Sequence, residues 1–302
     1  MLDVTRLRVL ASVARTGSIT AAARELHYAQ PSVSHHIARL EAETGAQLVQ
    51  RVGRGIRLTE AGRMLAERAT EIIGRLDVAA MELSAHVGLR AGKVRVATFA
   101  SAMLMLLPRV VELLAVEHPG LELELADTHP PEALRMLRAG EVDVALTFRY
   151  GTLAEADGVR VRHLLDDPTC LLTRAGDGRT TMGELRDARW VSGCERIRGS
   201  LFELCAREGF TPNVVCTTDD IATVQALVAS GLGVAVIPRL ALEAYRHPGV
   251  DVTEVPGSAR QVYAATYGEP PDPPATRALL AALETACRSL PPDRRVARKA
   301  RC

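Results

Sequence analysis

A change of periodicity near residue 92 limits what this chain can fold into more than any other feature. Before it, apolar residues recur at three- and four-residue steps; after it, short β-branched runs alternate with helical stretches. The first pattern buries one stripe of a helix and the second buries strand faces, so one uniform architecture cannot serve both. The 302 residues leave room for separate cores. The expected fold class is therefore α/β, with an all-α N-terminal head, a long helix, and a body of alternating strands and helices around largely parallel sheet.

In the head, Leu7, Leu10, Val13 and Ala14 form a helical stripe that Gly17 can close in a left-handed cap. Ser18 caps a second helix, Ile19–Leu26, and His27-Tyr28-Ala29 is a short turn. A third helix runs from Gln30 to about Glu43 with Pro31 in its first turn, and stops at Gly45. Val33, Ile37 and Leu40 point inward, leaving Ser32, His35, His36 and Arg39 outside. Two short helices joined by a three-residue turn make a helix-turn-helix. The small side chains of Ser32 and Ser34 let the backbone approach a DNA groove, where Gln30, His35, His36 and Arg39 reach base edges or phosphates. Leu48–Leu58 reads as a hairpin with a Val52-Gly53-Arg54-Gly55 tip, whose Arg51, Arg54 and Arg57 suit phosphates or the minor groove. Up to Leu58, eight arginines face four acidic residues, a balance of +4 on a chain of net charge +1. A basic head on a neutral body is the footprint of a DNA-binding module. The local pattern fits a three-helix bundle with a solvated charged face equally well.

Thr59 can cap a helix reaching about His86. Within it Leu65, Ala69, Ile72, Leu76, Ala79 and Leu83 alternate four- and three-residue steps, a heptad seam. Such a seam either packs on its own domain or pairs with a second copy, and its regularity favours the pair. The dimerisation positions are Leu65, Ala69, Ile72, Leu76 and Leu83.

After Gly92 the expected strands are Val94–Ala97, Leu121–Ala126, Val142–Thr147, Cys170–Thr173, Trp190-Val191, Val214–Cys216 and Gly233–Ile237. The expected helices are Ala102–Glu117, Pro131–Arg138, Ser200–Glu208, Asp219–Ser230 and Ala275–Arg288. No nucleophile elbow, zinc-protease or phosphate-loop motif occurs, so no enzyme, catalytic residue or cofactor is expected. Six cysteines without a C-x-x-C pair argue against a metal site. The charged N-terminus is unlike a signal peptide and the apolar runs are too short to span a bilayer, which predicts a cytoplasmic protein with no membrane partner. The basic tail Asp293–Cys302 has no pattern.

Gly17-Ser18, Ala21-Ala22, Leu26, Gln30-Pro31, Val33-Ser34, Ile37, Leu40-Glu41, Gly45, Leu48, Arg51 and Leu58-Thr59-Glu60-Ala61-Gly62 stand in register with the head of LysR-type transcriptional regulators, which this chain closely resembles. Pro108, His118-Pro119-Gly120-Leu121, Gly140–Ala145 and Val228–Pro238 extend the resemblance into the body. It implies a winged helix-turn-helix over 1–58 (motif about 19–38), a linker and dimerisation helix over 59–88, and an effector-binding domain over 92–302. That domain would be two-lobed and periplasmic-binding-protein-like, with lobe I about 92–160 and 268–290, lobe II about 161–267, and crossovers near Val159–Leu165 and Val262–Gly268. The DNA-binding residues implied are Ser18, Gln30, Pro31, Ser32, Ser34, His35, His36, Arg39, Arg51, Arg54 and Arg57. Strand ends would gather Ser101, Thr128, Phe148, Arg149, Ser192, Cys194, Phe202 and Thr218 around a polar or anionic effector, with Arg149 supplying charge and Phe202 covering an apolar part. The partners implied are double-stranded promoter DNA carrying an inverted repeat, a second or fourth copy of the chain, and RNA polymerase. Three positions depart from the family: Ala29 stands where a capping hydroxyl is usual, a change worth about 1 kcal/mol, His35 stands where arginine is frequent, and Val49 replaces a phenylalanine. Two other functions are open, a redox-responsive regulator using Cys194 and Cys205, and a solute-binding protein without a DNA role.

Overall fold

The computed structural model describes residues 2–52, 55–86, 92–150 and 158–290. The chain divides into two compact units, Met1–Ala91 with Leu134–Asp143, and Gly92–Ala133 with Val144–Cys302. The tail 293–302 and the hairpin tip at Gly53 and Arg54 lie outside the described residues.

The first unit opens with helices α1 (Val4–Thr16), α2 (Ile19–Glu25) and α3 (Gln30–Thr44). Each boundary has a local cause. Asp3 and Ser18 accept the backbone N–H groups of Arg6 and Ala21, and Gly17 and Gly45 close α1 and α3 at φ 64° and 67°. Ala29 begins α3 without a side-chain cap; Pro31 supplies the preset φ of a first turn. Leu7, Leu10, Val13, Ala22, Val33, Ile37 and Leu40 make the core. Strands β1 (Val49–Val52) and β2 (Gly55–Leu58) pair antiparallel as a wing. The Glu41 carboxylate pins its start by accepting the N–H groups of Leu48 and Val49 at 2.8 and 3.1 Å. Thr59 caps α4 (Glu60–His86) by accepting the Gly62 N–H at 3.0 Å. A β-carbon added at Gly62 would lie 2.0 Å from the Leu48 carbonyl oxygen, so only glycine lets α4 and the wing backbone approach this closely.

The heptad seam of α4 divides. Ala69 is buried and Leu65 half-buried against the head's own core, with Ala66 and Ile73. Ile72 and Leu76 stay exposed at 38% and 44%, with Met64 at 62%. The Leu83 side chain lies outside the described residues. The seam's first third thus serves intramolecular packing, because α4 lies along α1 there.

The second unit is built on one eight-stranded sheet. Its elements are β3 (Lys93–Thr98), α5 (Ala100–Met105), α6 (Leu107–Glu117), β4 (Glu122–Asp127), the start of α7 (Pro130–Arg138, counted with the first unit from Leu134), β5 (Val144–Arg149), β6 (Val159–Arg174), β7 (Arg189–Ser192), α8 (Glu195–Arg207), β8 (Asn213–Thr217), α9 (Ile221–Ala229), β9 (Val234–Pro238), α10 (Arg239–Ala244), β10 (Val250–Tyr267) and α11 (Pro274–Arg288). The strand order is β4-β3-β5-β10-β6-β9-β7-β8. Two outer groups, β4-β3-β5 and β9-β7-β8, are parallel within themselves. They share the long central pair β6 and β10, which run antiparallel to each other.

Several expected boundaries change here. The single helix 102–117 is two, α5 and α6, because Pro108 lacks an N–H and its ring excludes the preceding turn. The crossovers are 16 and 18 residues long and absorb Cys170–Thr173 into β6, so the lobes are two halves of one hydrogen-bonded sheet. A register shift between Glu254 and Ala259, holding Gly257 at φ 67°, marks the change from one half to the other. Helix α8 starts five residues before the expected Ser200. The weak helix former Gly199 interrupts the sequence signal, yet Leu201, Leu204 and Cys205 bury themselves and hold the turn. Helix α10 has no counterpart among the expected helices.

Candidate DNA interface and ligand pocket

On α3, Gln30, Pro31, Ser32, His35 and Arg39 are exposed, while Ser34 and His36 are half-buried. The helix therefore presents the expected polar face, with Val33, Ile37 and Leu40 anchoring its back. His36 stacks on Tyr28 of the inter-helix turn, ring centroids 5.8 Å apart, which orients it as a neighbour of His35 rather than a free reader. Tyr28, 42% exposed, joins this surface and carried no sequence signal beyond its place in the turn. Half-buried Ser18 is committed to capping α2. Arg57 is exposed on the wing. The Arg51 side chain and the whole of Arg54 lie outside the described residues. Among the described residues, Arg6 pairs with Glu43 and Arg15 with Glu25 inside the head.

The second unit holds a pocket of about 600 Å³, counted out to its open mouth, where the carboxyl ends of strands from both sheet halves face one another. Its position at strand ends is where ligands bind in α/β sheets. Of the eight residues expected there, Ser101, Phe148, Cys194 and Thr218 line it. Ser192, between the lining residues Val191 and Gly193 in the chain, is buried, with its hydroxyl unpartnered among the described residues. Thr128, Arg149 and Phe202 do not line it. Thr128 is half-buried and donates its N–H to the Thr98 carbonyl, and its neighbour His129 takes the place at the mouth. Arg149 ends β5 in register with Gln261. Phe202 sits two turns inside α8 under the Arg198 guanidinium, 5.5 Å from its ring centroid, because the helix begins earlier than expected; Ile197 lines the pocket instead.

The guanidinium that does reach the pocket belongs to Arg260 of β10, which had no sequence signal. It is 2% exposed. Its Nε donates to the Asp167 carboxylate at 2.9 Å and its Nη2 to the Ser101 hydroxyl at 2.6 Å. Phe99 and Phe148 cover it, with ring centroids 4.8 and 4.3 Å from Cζ, and meet each other edge-to-face at 4.9 Å. Asp167 lies opposite Arg260 in the β6–β10 ladder and also accepts the Leu240 N–H at 2.9 Å. Burial pushes its carboxyl above the ordinary value, against the pull of Arg260 and the Leu240 N–H. The four groups tie Ser101 in the first turn of α5 to the first turn of α10, at the strand pair both halves share. Apolar side chains, among them Val191, Ile221, Val224 and Ile237, form most of the remaining wall. At the mouth His129 Nε2 lies 3.3 Å from Asp219 Oδ2. Tyr150 packs edge-on against Phe148, and burial raises its phenol to about 12.

Cys194 and Cys205 are the first residue before α8 and a buried residue near its end. Eleven helical steps separate them by about 16 Å, far beyond the roughly 6 Å that a disulfide spans. Burial also raises the Cys205 thiol to about 12, away from the reactive thiolate. In this arrangement the two are too far apart to bridge directly. Among the described residues no cluster of metal-ligating side chains occurs, and no helix is long and apolar enough to cross a membrane.

Comparison with known proteins places this geometry. Residues 4–63 match the model of the bacterial regulatory helix-turn-helix proteins of the lysR family, and residues 88–288 match the LysR substrate binding domain. The chain is 27% identical over 277 residues to the HTH-type transcriptional regulator ClcR of Pseudomonas putida, covering 86% of this chain and 90% of the relative. It is 28% identical over 249 residues to the regulator BsdA of Bacillus subtilis, covering 78% and 84%. Among solved structures, a full-length OxyR from Pseudomonas aeruginosa superposes with a TM-score of 0.67 at 23% identity, over 96% of this chain and 95% of that one. Full-length CbnR in complex with its target DNA gives 0.64 at 21% identity, over 94% and 100%. With both family models in register along one chain, and an exposed recognition helix and a strand-end pocket behind them, the protein belongs to the LysR family of DNA-binding transcriptional regulators.

Proposed function

We propose that this regulator reads promoter DNA through α3 and the wing, and that a small molecule held in the strand-end pocket adjusts those contacts without being turned over. The observation that carries the proposal is the pocket itself: an apolar wall with one polar floor, Ser101 and Arg260, at the strand pair common to both halves of the sheet. A ligand bridging the two halves favours one arrangement of them and shifts the population toward it. The effector has an apolar body and a hydrogen-bonding end. Calorimetry with a metabolite set, run on the wild type and on Ser101→Ala, tests the pocket. A ligand that alters promoter binding should lose about tenfold in affinity in the variant, the contribution of one hydrogen bond to a charged network. Equal affinities would place the effector elsewhere.

The second part of the proposal is a homodimer through α4 on an inverted-repeat site, with pairing to a tetramer and contact to RNA polymerase as later steps. Among the described residues, Met64, Ile72 and Leu76 are the large apolar side chains α4 leaves uncovered in one chain. Putting a charge in the middle of this stripe, Ile72→Asp, should yield monomers that no longer hold an inverted repeat, because a buried unpaired carboxylate costs several kcal/mol. Sedimentation showing an unchanged oligomer would place the dimer interface elsewhere.

A further inference from the structure

Resting on the reading that the strand-end pocket is the effector site, we infer that this site selects an uncharged ligand, an apolar body ending in a carbonyl or hydroxyl, and discriminates against carboxylates. A basic group at the floor of a pocket ordinarily marks an anion site. Here Arg260 already has its anion. Asp167 takes the Nε and Nη2 edge at 2.9 and 2.8 Å, both members are about 2% exposed, and the two phenylalanine rings cover the guanidinium. The positive charge is thus compensated inside the protein, at the register position where β6 and β10 change partners.

The other charges at the pocket point the same way. Asp219 stands at the mouth beside His129. The positive end of α8 opens at Cys194, yet Glu195 occupies its first turn. An entering carboxylate would shed its water and meet no uncompensated cation among the described lining residues, while facing Asp219 on the way in. A neutral ligand meets a better match. The Ser101 hydroxyl accepts from Arg260 and keeps its own proton to donate to a ligand oxygen, and the apolar wall takes the rest of the molecule.

The test compares compounds that share one body and differ only in the end group. Phenylacetamide, 2-phenylethanol and phenylacetate are titrated calorimetrically into the full-length protein, wild type and Asp167→Asn. In the wild type the amide and the alcohol should bind at least about tenfold tighter than the carboxylate, which loses its hydration without gaining a free counter-ion. In Asp167→Asn, which keeps the shape and removes the charge, Arg260 becomes the unpaired cation and the order should reverse. The fluorescence of Trp190, the only tryptophan and fully buried in this unit, reports whether the variant folds; if it does not, the wild-type order decides alone. A wild type that prefers phenylacetate, or a folded Asp167→Asn whose order is unchanged, overturns the inference and leaves the effector site standing. If none of the three binds, the effector-site reading falls and the inference with it.

Discussion

Arg260→Met should destabilise the C-terminal unit by about 3–5 kcal/mol at neutral pH, the cost of leaving a buried charge without its partner. The substitution keeps the packing between Phe99 and Phe148 but strands the Asp167 carboxylate with the Leu240 N–H and the charge of Arg239 in place of a direct partner. The loss should depend on pH, and its sign follows from Asp167. Burial already holds this carboxyl above its ordinary value, and removing the guanidinium takes away the pull that opposes burial, so the folded variant holds the proton more tightly still. A carboxyl raised in the folded state takes up a proton on folding. Its penalty is therefore absent below the unfolded value, about 4, and grows as pH rises through the folded value. Urea titrations followed by Trp190 fluorescence should show the deficit shrinking from pH 7 toward pH 4. The double variant Asp167→Leu with Arg260→Met should recover most of it, since packed apolar groups replace a buried pair at little cost. A deficit that ignores pH, or a double variant as unstable as the single one, would show that the pair is not ionised in the folded protein.

The second large effect concerns DNA. Affinity for a promoter site should fall on the order of a thousandfold between 50 and 200 mM salt, as expected when six or more phosphates are neutralised by a dimer's arginines. The structure makes the prediction selective among those arginines. Arg57, exposed on the wing, should weaken binding to all sequences alike when changed to alanine, and reduce the salt slope by about one for each phosphate it no longer neutralises. Arg15→Ala should leave the slope unchanged, because Arg15 is already neutralised by Glu25 inside the head. Changing exposed His35 should instead redistribute affinity among sites by about 1–3 kcal/mol. Filter binding across a salt series measures all of these. A slope insensitive to Arg57, or one lowered by Arg15→Ala, would contradict this division of the basic residues.

The head was legible because its signals are local. Ser18, Gly17, Gly45, Pro31 and Thr59 act within four residues of their own positions, so the helix boundaries they set survive folding unchanged. Periodicity likewise placed Val33, Ile37 and Leu40 inside and left His35 and Arg39 outside. Repetition with a longer reach was ambiguous. The α4 heptad is equally a dimer seam and a packing stripe, and only the position of α1 decided that Leu65 and Ala69 belong to the head's own core.

In the pocket, the strand-end rule brought Ser101, Phe148, Cys194 and Thr218 into view because each follows or ends a strand whose place could be read from its apolar run. It misplaced Thr128, Phe202 and Arg149: the pocket takes His129 in place of Thr128, and the other two depend on where α8 begins and on which neighbour β5 pairs with. By itself, then, the sequence determined the two-part architecture, the recognition helix with its Pro31 start and Gly45 stop, and the family. Tertiary structure alone decided the electrostatics of the site. Asp167 and Arg260 stand 93 residues apart and become partners only through the register of β6 against β10. No periodicity marks either residue, since one arginine in a mostly apolar strand reads as a solvated edge until another strand arrives to bury it. Nor can composition show that a charge is already compensated: pairing is a property of distance, and that distance is set by a ladder between strands far apart in the chain.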